Sequence, residues 1–420
     1  MSYLFRNEAP DHDELVLFIS AAALCHRVAY AAVQDVTQHG AVGDGSTNDA
    51  WNLPGFHRFL DPQAFEKAWD EACNADESST LLIPAGKTFL VHPLSFNGPC
   101  KASKVEIQVL GNVVAPTDKD AWGHCTNWIT IQKIDNLAVS GTGGFNAQGD
   151  NWWHGPLKKA CKHPPTSLHF DGCNGLTISG IHSKDSPKNH FIARCNNVTV
   201  SNIEITAPEK SPNTDGIDVS SSTDVHVRDS QIGTGDDCIA INNQCSNIQI
   251  TGVHCGPGHG ISVGSLGKNG ADVAVEHILV QHCTLTGTEN GARIKTCGYA
   301  RNITYKNITL DDVNNPIIIN QHYEGKHDSL LGQDTALEIS NVTFSGFTGT
   351  SHDNHAITLD CTPEGQGCTG LVIEDVTITT ASGGTPEASC TNAHGTARNT
   401  SPPVGCLSEG QPFFDRGRLW

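Results

Sequence analysis

Four short polar clusters contain residue types that are suited to acid–base chemistry. They interrupt an otherwise apolar rhythm at residues 211–216, 233–238, 256–260 and 291–295. Asp215 lies 22 residues before Asp237, and His259 lies 22 residues after Asp237. In a repeating structure of that period, the three side chains would stack on consecutive rungs whose backbones are about 4.8 Å apart. The spacing therefore predicts one polar patch.

This patch combines carboxylates with cations. Asp236 adjoins Asp237, and three carboxylates this close cannot all ionise easily. At least one pKa should therefore rise, which keeps a general acid protonated beside a general base. Arg293 and Lys295 are two residues apart, so on a strand the two cations share one face. Together with His259 they suit an anionic substrate.

Each element of the patch also has a simpler interpretation. Asp-Gly pairs commonly form turns, and adjacent aspartates can form a solvated corner or a calcium site. A histidine between glycines can be structural, and alternating Arg-x-Lys can be the wet face of a strand. The joint arrangement at one period is what favours a catalytic site.

A repeated phrase describes the elements that would position these residues: apolar, any, apolar, two residues, apolar, any, apolar. It occurs at residues 176–183, 198–205, 225–232, 248–255, 278–285, 303–310, 337–344 and 371–378. Alternation on both sides of a two-residue corner indicates two short strands that turn between sheets. Repetition at intervals of 22 to 34 residues is typical of a solenoid, whose units bury their apolar faces against each other. We therefore predict an all-β solenoid with a capping helix over residues 63–74, and a β-sandwich or barrel is the alternative.

Composition excludes several classes of protein. With 42 glycines, 20 prolines and 17% charged residues among 420, the chain is not a coiled coil, a helical array or a disordered protein. The formal net charge is −19 and no long basic run occurs, so we expect no nucleic-acid partner. Protonation of the 21 histidines near pH 5 would offset the whole of this charge and bring the sum from −19 to about +2, so a polyanion is tolerable in an acidic compartment.

The cysteines and the N-terminal segment predict secretion. Sixteen cysteines without zinc-type CxxC pairs indicate disulfides in an oxidising compartment. An apolar stretch over residues 15–25 precedes Ala29-Tyr30-Ala31, which resembles a signal peptide over 1–31 that is too short to span a bilayer. We expect no membrane partner, a mature domain over 32–406 and an unassigned tail over 407–420. Five glycosylation sequons agree with secretion, at Asn197, Asn302, Asn307, Asn341 and Asn399.

Several cysteine pairs could form disulfides, although spacing alone does not fix the connectivity. Cys238 and Cys255 frame the polar patch and could hold its acids against the histidine. The other candidate pairs are Cys73 with Cys100, Cys361 with Cys368, and Cys390 with Cys406. Cleavage after Ala31 would remove Cys25 and leave an odd number, so at least one thiol would be free or would pair with another chain.

At four of these places the sequence resembles the polygalacturonase family of glycoside hydrolases, and its plant members in particular. The matching blocks are Asn-Thr-Asp at 213–215, Gly-Asp-Asp at 235–237, Gly-His-Gly at 258–260 and Arg-Ile-Lys at 293–295. The resemblance extends from about Val36 to Cys406. It implies a single-stranded right-handed parallel β-helix that hydrolyses α-1,4-linked galacturonic acid in pectin, with inversion and without a metal or other cofactor. It also implies a secreted protein of the cell wall, which we expect to be a monomer.

The same resemblance assigns roles to individual residues. It makes Asp236 the general acid, makes Asp215 and Asp237 the residues that activate water, and has His259 tune the acid. Four residues would contact the substrate: Arg293 and Lys295 at its carboxylate, Asn213 at the cleavage subsite, and Tyr323 at the place of a substrate-contacting tyrosine.

Two departures from the family pattern leave other functions open. Residues 51–62 intervene where the family continues almost directly, and the turn after Lys295 is short, with Cys297 as the candidate unpaired thiol. The first alternative is a catalytically impaired β-helix protein that binds polysaccharide. The second is a pectate-lyase-like enzyme, which would need calcium, and the third is a hydrolase of rhamnogalacturonan or xylogalacturonan. The paired cations favour a uronate, and the sequence does not distinguish internal from terminal cleavage.

Overall fold

The structure of the protein is a computed structural model. It describes residues 32–49, 64–122, 126–154, 161, 163–267, 274–296, 298–321, 338–363 and 365–407. Five sequence predictions lie outside these residues: the signal peptide over 1–31, the inserted segment 51–62, Cys297, Tyr323 and the tail after Leu407.

The described residues form 33 strands, two short α-helices and one 3-10 helix. The helices are α1 (Ala64–Cys73), the 3-10 helix Lys119–Trp122, and α2 (Asp150–Trp153). The strands are β1 (Ala32–Asp35), β2 (Asp44–Asn48), β3 (Ser79–Ile83), β4 (Thr88–Leu90), β5 (Leu94–Asn97), β6 (Val105–Val109), β7 (Asn112–Val114), β8 (Asn127–Gln132), β9 (Leu137–Gly141), β10 (Gly144–Asn146), β11 (Thr166–Asp171), β12 (Thr177–Ser179), β13 (His182–Lys184), β14 (Phe191–Arg194), β15 (Val198–Ser201), β16 (Glu204–Thr206), β17 (Ile217–Val219), β18 (Thr223–Arg228), β19 (Gln231–Gly233), β20 (Ile239–Ile241), β21 (Cys245–Thr251), β22 (His254–Cys255), β23 (Ile261–Leu266), β24 (Ala274–Gln281), β25 (Thr284–Thr286), β26 (Asn290–Thr296), β27 (Tyr299–Val313), β28 (Asn315–Asn320), β29 (Ile339–Ser351), β30 (His355–Asp360), β31 (Cys368–Thr380), β32 (Glu387–Thr391) and β33 (Ala393–Ser401).

All named strand pairs are parallel, and they build two sheets of very different extent. One sheet contains 22 strands and bends at a corner within each rung, while the other contains 11 strands, one from each rung from β5 to β32. The chain thus coils as a right-handed parallel β-helix, with the apolar residues of both sheets facing one continuous core. This confirms the predicted solenoid and excludes the sandwich. None of the described helices is both long and apolar enough to cross a membrane.

Most of the repeated phrases stack as predicted, and their corners share one backbone feature. The phrases that begin at Val198, Val225, Ile248, Ile278 and Ile303 are register partners in that order. The second residue of each corner has a left-handed backbone, with φ near 53° at Asn202, 50° at Asp229 and 66° at Gly252. Glycine, asparagine and aspartate tolerate this conformation, which explains why they recur there.

The phrase predicted at 337–344 is wrong by five residues. Ile303 pairs with Val342, and Leu310 pairs with Gly349, so this unit occupies 342–349. Asn341, with φ near 54°, lies at the other left-handed corner of the rung, where its amide donates to Asn302 Oδ1 at 3.3 Å. Gly349 stands where the phrase has its last apolar residue, because a Cβ there would lie 1.9 Å from the carbonyl oxygen of Leu310.

Helix α1 covers the first rungs, close to the predicted range of 63–74. Phe65 packs edge-on against Phe89 with ring centroids 5.7 Å apart, and Trp69 lies 4.9 Å from Phe96. The coil also extends beyond the predicted phrases. Strands β3, β6 and β9 continue the ladder on one side, and β33 continues it on the other.

Candidate active site

Three of the predicted site residues stack immediately before strands of the 11-stranded sheet. The isoleucines that begin β17, β20 and β23 are register partners. Two positions before them lie, in order, Asp215, Asp237 and His259. The ladder continues through this region, because Gly216 N donates to Asp237 O at 2.9 Å. The 22-residue spacing therefore corresponds to consecutive rungs.

Asp237 is fully buried, and both of its carboxylate oxygens accept hydrogen bonds. Ser262 Oγ donates to Oδ1 at 2.7 Å, and Lys295 Nζ donates to Oδ2 at 2.5 Å. The exposed fraction of the side chain is 0% for Asp237 and 8% for Lys295. One oxygen of this buried carboxylate is thus satisfied by a hydroxyl and the other by a cation.

Asp236 is bonded to His259 through one oxygen only. His259 Nδ1 lies 2.9 Å from Asp236 Oδ1, and the backbone N–H of Asp237 donates to the same oxygen at 2.8 Å. Burial acts to raise the pKa of Asp236, but the hydrogen bond and charge of His259 outweigh it, so this pKa lies below its ordinary value. The hydrogen bond to Asp236 correspondingly raises the pKa of His259.

Asp215 is the carboxyl group whose pKa lies well above the ordinary value. The main cause is burial, followed by the negative charges of Asp218, Asp236 and Asp237. The sequence predicted that at least one pKa in this cluster would rise. In the free protein the rise falls on Asp215, whereas the pKa of Asp236 is lowered, because His259 lies against Asp236.

Sequence reasoning missed Asp218, a fourth carboxylate of this cluster. Its two oxygens accept hydrogen bonds from the amides of Asn242, at 2.9 Å, and of Asn189. Burial raises its pKa to about 7. The signal was present, since Asp218 is a polar residue between two buried apolar ones, Ile217 and Val219, and so points out of the core.

Arg293 and Lys295 lie in β26 on the outward side, separated by the fully buried Ile294. Both cations are themselves buried, with 7% and 6% of their surface exposed. Arg293 pairs in register with Ser262. The structure thus brings Lys295 to Asp237, and it places Arg293 beside Ser262, whose hydroxyl binds the same carboxylate.

Asn213 lies at the exposed rim of the site, with φ near 55°. The adjacent Thr214 fixes this turn, because its hydroxyl lies 2.7 Å from Ser211 Oγ and accepts a hydrogen bond from Gly235 N at 3.0 Å. These bonds join the first polar cluster to the second.

Glu289 is a second residue that sequence reasoning missed. Its Oε2 lies 3.1 Å from His259 Nε2, on the side of the ring opposite Asp236. Ala292 pairs in register with Ile261, which places Asn290 two residues before Ala292, just as His259 precedes Ile261. Glu289 therefore occupies the position of Asp236 two rungs further along, and this equivalence was visible once the register was known.

The four cysteine pairs named from the sequence are bonded in the structure. They are Cys73–Cys100, Cys238–Cys255, Cys361–Cys368 and Cys390–Cys406. Cys238 directly follows Asp237, so its bond connects the acidic cluster to the segment that carries His259. Among the described residues, four thiols are free and buried: Cys173, Cys195, Cys245 and Cys283.

Two acids of the site, Asp236 and Asp237, are paired with side chains of the protein, His259 and Lys295. Asp236, Asp237 and His259 bring potential ligand atoms within 4.8 Å of one another, which is a spacing that a metal ion can use. However, Lys295 and His259 already form hydrogen bonds with these carboxylates. A metal ion would have to displace both partners, so we assign no metal ligand here.

A parallel β-helix whose outer face holds clustered carboxylates beside buried cations has the components of a glycoside hydrolase, which needs an acid and a base on either side of the bond. The sequence profile of Glycosyl hydrolases family 28 matches residues 73–401. The chain belongs to this family, which confirms the resemblance inferred from the four motifs.

Individual relatives agree with this assignment. The chain is 45% identical over 396 residues to a protein of Arabidopsis thaliana named as a probable polygalacturonase, covering 92% of this chain and 83% of that protein. It is 38% identical over 368 residues to a polygalacturonase of Persea americana, covering 85% and 76%. The crystal structure of endo-xylogalacturonan hydrolase from Aspergillus tubingensis matches with a TM-score of 0.70 and 26% identity, covering 88% of this chain and 100% of that one.

Proposed function

We propose that the protein hydrolyses the α-1,4 bonds between galacturonic acid residues of polygalacturonate, the backbone of pectin. The observation that carries the proposal is that two buried cations lie in the strand beside the acidic cluster: Lys295 is paired with Asp237, and Arg293 is the register partner of Ser262, which binds the same carboxylate. A site for a neutral sugar has no need of buried cations, whereas a uronate carboxylate is recognised by them. The relatives named as polygalacturonases support the same substrate.

Asp236 serves as the general acid. Its Oδ1 already accepts hydrogen bonds from His259 and from the backbone of Asp237, so a proton for the glycosidic oxygen belongs on Oδ2. Because the pKa of Asp236 is lowered in the free protein, the acid must gain this proton as the substrate binds. Exclusion of water by the sugar, together with the substrate's own negative charge, raises the pKa of a carboxyl group in this way.

Asp215 is the source of that proton, and with Asp237 it then activates the water. The negative charge of Asp236 helps to raise the pKa of Asp215 in the free protein. Protonation of Asp236 removes that charge, so Asp215 ionises as Asp236 becomes neutral. One proton thus moves within the cluster and none is taken up, as expected for strongly interacting carboxyl groups. Asp237, paired with Lys295, helps to direct the water.

Arg293 binds the carboxylate of the sugar at the cleavage site, and Lys295 contributes charge while it holds Asp237. Asn213 lies at the rim, where it can shape the same subsite. Tyr323 lies outside the described residues, so its role as a substrate contact stays a prediction. Inversion of the anomeric carbon follows from the family resemblance, and ¹H NMR of the first product would test it, because inversion releases the β-anomer first.

The protein is proposed to act outside the cell as a monomer. The four disulfides require an oxidising compartment, which supports secretion to the cell wall. We propose that residues 1–31 are removed as a signal peptide, that 32–406 form the hydrolase domain, and that 407–420 are a separate tail. The first residue of the protein collected from culture medium, read by mass spectrometry, would test this boundary.

The decisive experiment is release of reducing sugar from de-esterified polygalacturonate near pH 5 in EDTA. Asp236→Asn should lower kcat by roughly 10² to 10⁴ and retain oligogalacturonate binding, because it removes the proton donor with little change of shape. Asp224→Asn is the matched control, since Asp224 is exposed on another face of the coil and its backbone conformation (φ near 56°) suits asparagine.

Other outcomes identify the alternatives. Near wild-type turnover in Asp236→Asn would overturn the assignment of the acid. An unsaturated, ultraviolet-absorbing product with loss of activity in EDTA would indicate a lyase, and binding without release would indicate a binding protein. Faster release from xylogalacturonan or rhamnogalacturonan would change the substrate. The size distribution of the products would separate internal from terminal cleavage.

A further inference from the structure

Glu289 has no role in the proposed mechanism, yet it completes a row of three side chains across the site. His259 lies between two carboxylates, with Nδ1 at 2.9 Å from Asp236 and Nε2 at 3.1 Å from Glu289. We propose that Glu289 is a positioning residue that holds His259 as an imidazolium, and thereby keeps the proton of the acid on Oδ2 of Asp236. This inference rests on the proposed function, because it concerns the same acid.

The hydrogen-bonding capacity of histidine supports the imidazolium form. A neutral imidazole has one N–H donor and one acceptor, so it can donate to only one of two carboxylates. Both ring nitrogens of His259 face carboxylate oxygens within hydrogen-bonding distance. Only the protonated ring donates to both of them. With Nδ1–H bonded to Asp236 Oδ1, that oxygen is occupied and Oδ2 is left to carry the proton of the acid.

The stacking of the rungs places Glu289 for this contact. Asp236, Gly258 and Glu289 occupy equivalent positions on three successive rungs, and His259 follows the middle one. A side chain at Gly258 would not fit, because a Cβ there would lie 2.6 Å from the carbonyl oxygen of Asp236. Glu289 N donates to Gly258 O at 2.8 Å, and Glu289 O accepts from Asn315 N at 3.0 Å. The backbone of Glu289 is thus fixed on both sides.

The charges around His259 set the direction of the effect. Asp236 and Asp237 face it from the preceding rung, Asp215 lies one rung further back, and Glu289 faces it from the following rung. Arg293 and Lys295 in β26 are the nearby cations, and Lys295 is paired with Asp237. The charges of Asp236, Glu289 and Asp237 all act to raise the pKa of His259. Loss of the charge at Glu289 should therefore lower it.

The variant Glu289→Gln tests the inference, since it retains the shape and removes the charge. Glu204→Gln is the matched control, because Glu204 Oε2 lies 3.0 Å from His182 Nδ1 on the 22-stranded sheet, and Glu204 is about as exposed as Glu289. The titration midpoint of the His259 ring would be followed by NMR, with its signal assigned through His259→Asn. We expect the midpoint to fall by about half a pH unit in Glu289→Gln and to stay unchanged in Glu204→Gln.

Kinetics supply the second measurement. The alkaline limb of kcat/KM should move to lower pH by the same amount in Glu289→Gln, while KM at pH 4.5 stays as in the wild type. An unchanged midpoint for His259 would overturn the inference. A raised KM without a shift of the limb would also overturn it, and would make Glu289 a substrate contact. The titration needs no turnover, so a wild-type protein that released no sugar would count against the proposed function and not against the Glu289 contact.

Discussion

Lys295 and Asp237 form an ion pair that spans two rungs. Nζ of Lys295 lies 2.5 Å from Oδ2 of Asp237, and water has almost no access to either side chain. Such a pair contributes little net stability compared with apolar residues, but removal of one partner is costly because it leaves the other charge buried alone. The pair thus couples the stability of the coil to the chemistry of the site.

Lys295→Met should therefore lower both stability and activity. We expect the free energy of unfolding in urea to fall by about 3 to 5 kcal/mol, because Asp237 loses its cation. The double variant Asp237→Asn with Lys295→Met should recover much of the stability but no activity. A single variant as stable as the wild type would show that the pair does not matter for folding.

Arg293→Ala should act mainly on substrate binding. We expect KM for de-esterified polygalacturonate to rise more than tenfold with a smaller change in kcat, because the role proposed for the guanidinium is to bind the substrate carboxylate. Arg293→Lys keeps the charge without the bidentate geometry. Its KM should lie between that of the wild type and that of Arg293→Ala. The role would be refuted by an unchanged KM on the de-esterified substrate, measured against a methyl-esterified one.

Two disulfides of nearly equal loop length separate stability from function. Cys238–Cys255 closes 17 residues at the site, and Cys390–Cys406 closes 16 residues remote from it. Replacing either pair by alanine should cost about 3 kcal/mol of unfolding free energy, measured in urea. Only the first replacement should reduce kcat of the folded protein, because only that bond ties Asp237 to the segment of His259. Equal kcat in the two variants would contradict this.

Asp218→Asn should change how stability depends on pH. The folded pKa of about 7 lies above the ordinary value of 3.8, so the contribution of Asp218 is fully present below about pH 4 and is lost as pH rises to 7. The variant lacks this loss. Between pH 4 and pH 7.5 its unfolding free energy should therefore rise relative to that of the wild type, by up to about 4 kcal/mol.

The comparison with the wild type is needed because His190 acts in the opposite direction. Burial lowers its pKa to about 3, so its contribution is present above pH 6.5 and is lost as pH falls towards 3. Both proteins retain His190, so this effect cancels in the difference. A constant difference across the whole range would show that Asp218 titrates normally.

The sequence predicts the coil well because the information is local. Alternation and a left-handed corner residue such as Asn202 or Gly252 identify most rungs without any knowledge of their neighbours. The prediction at 337–344 is wrong, because Asn341 lies at the other corner of its rung, and two corners with the same residue preference look alike in sequence. The period also placed Asp215, Asp237 and His259 on consecutive rungs.

Contacts between side chains on different rungs are harder to predict from the sequence. The period indicates which residues share a column, but not which side chains reach across it, so Glu289 against His259 and Lys295 against Asp237 emerged only from the structure. The distribution of protons depends on burial in three dimensions. That is why the raised pKa falls on Asp215, although the resemblance to the family named Asp236 as the acid.

Because each strand stacks on the next, the β-helix can change in length by one whole rung at a time. A complete rung gained or lost near either end would leave every remaining strand with a partner, and would lengthen or shorten the β-helix by one fixed step. The same event between Asp215 and Lys295 would move one half of the site about 4.8 Å away from the other. Variation in length among relatives should therefore concentrate outside these coils, and the stretch of polysaccharide held should change in whole steps.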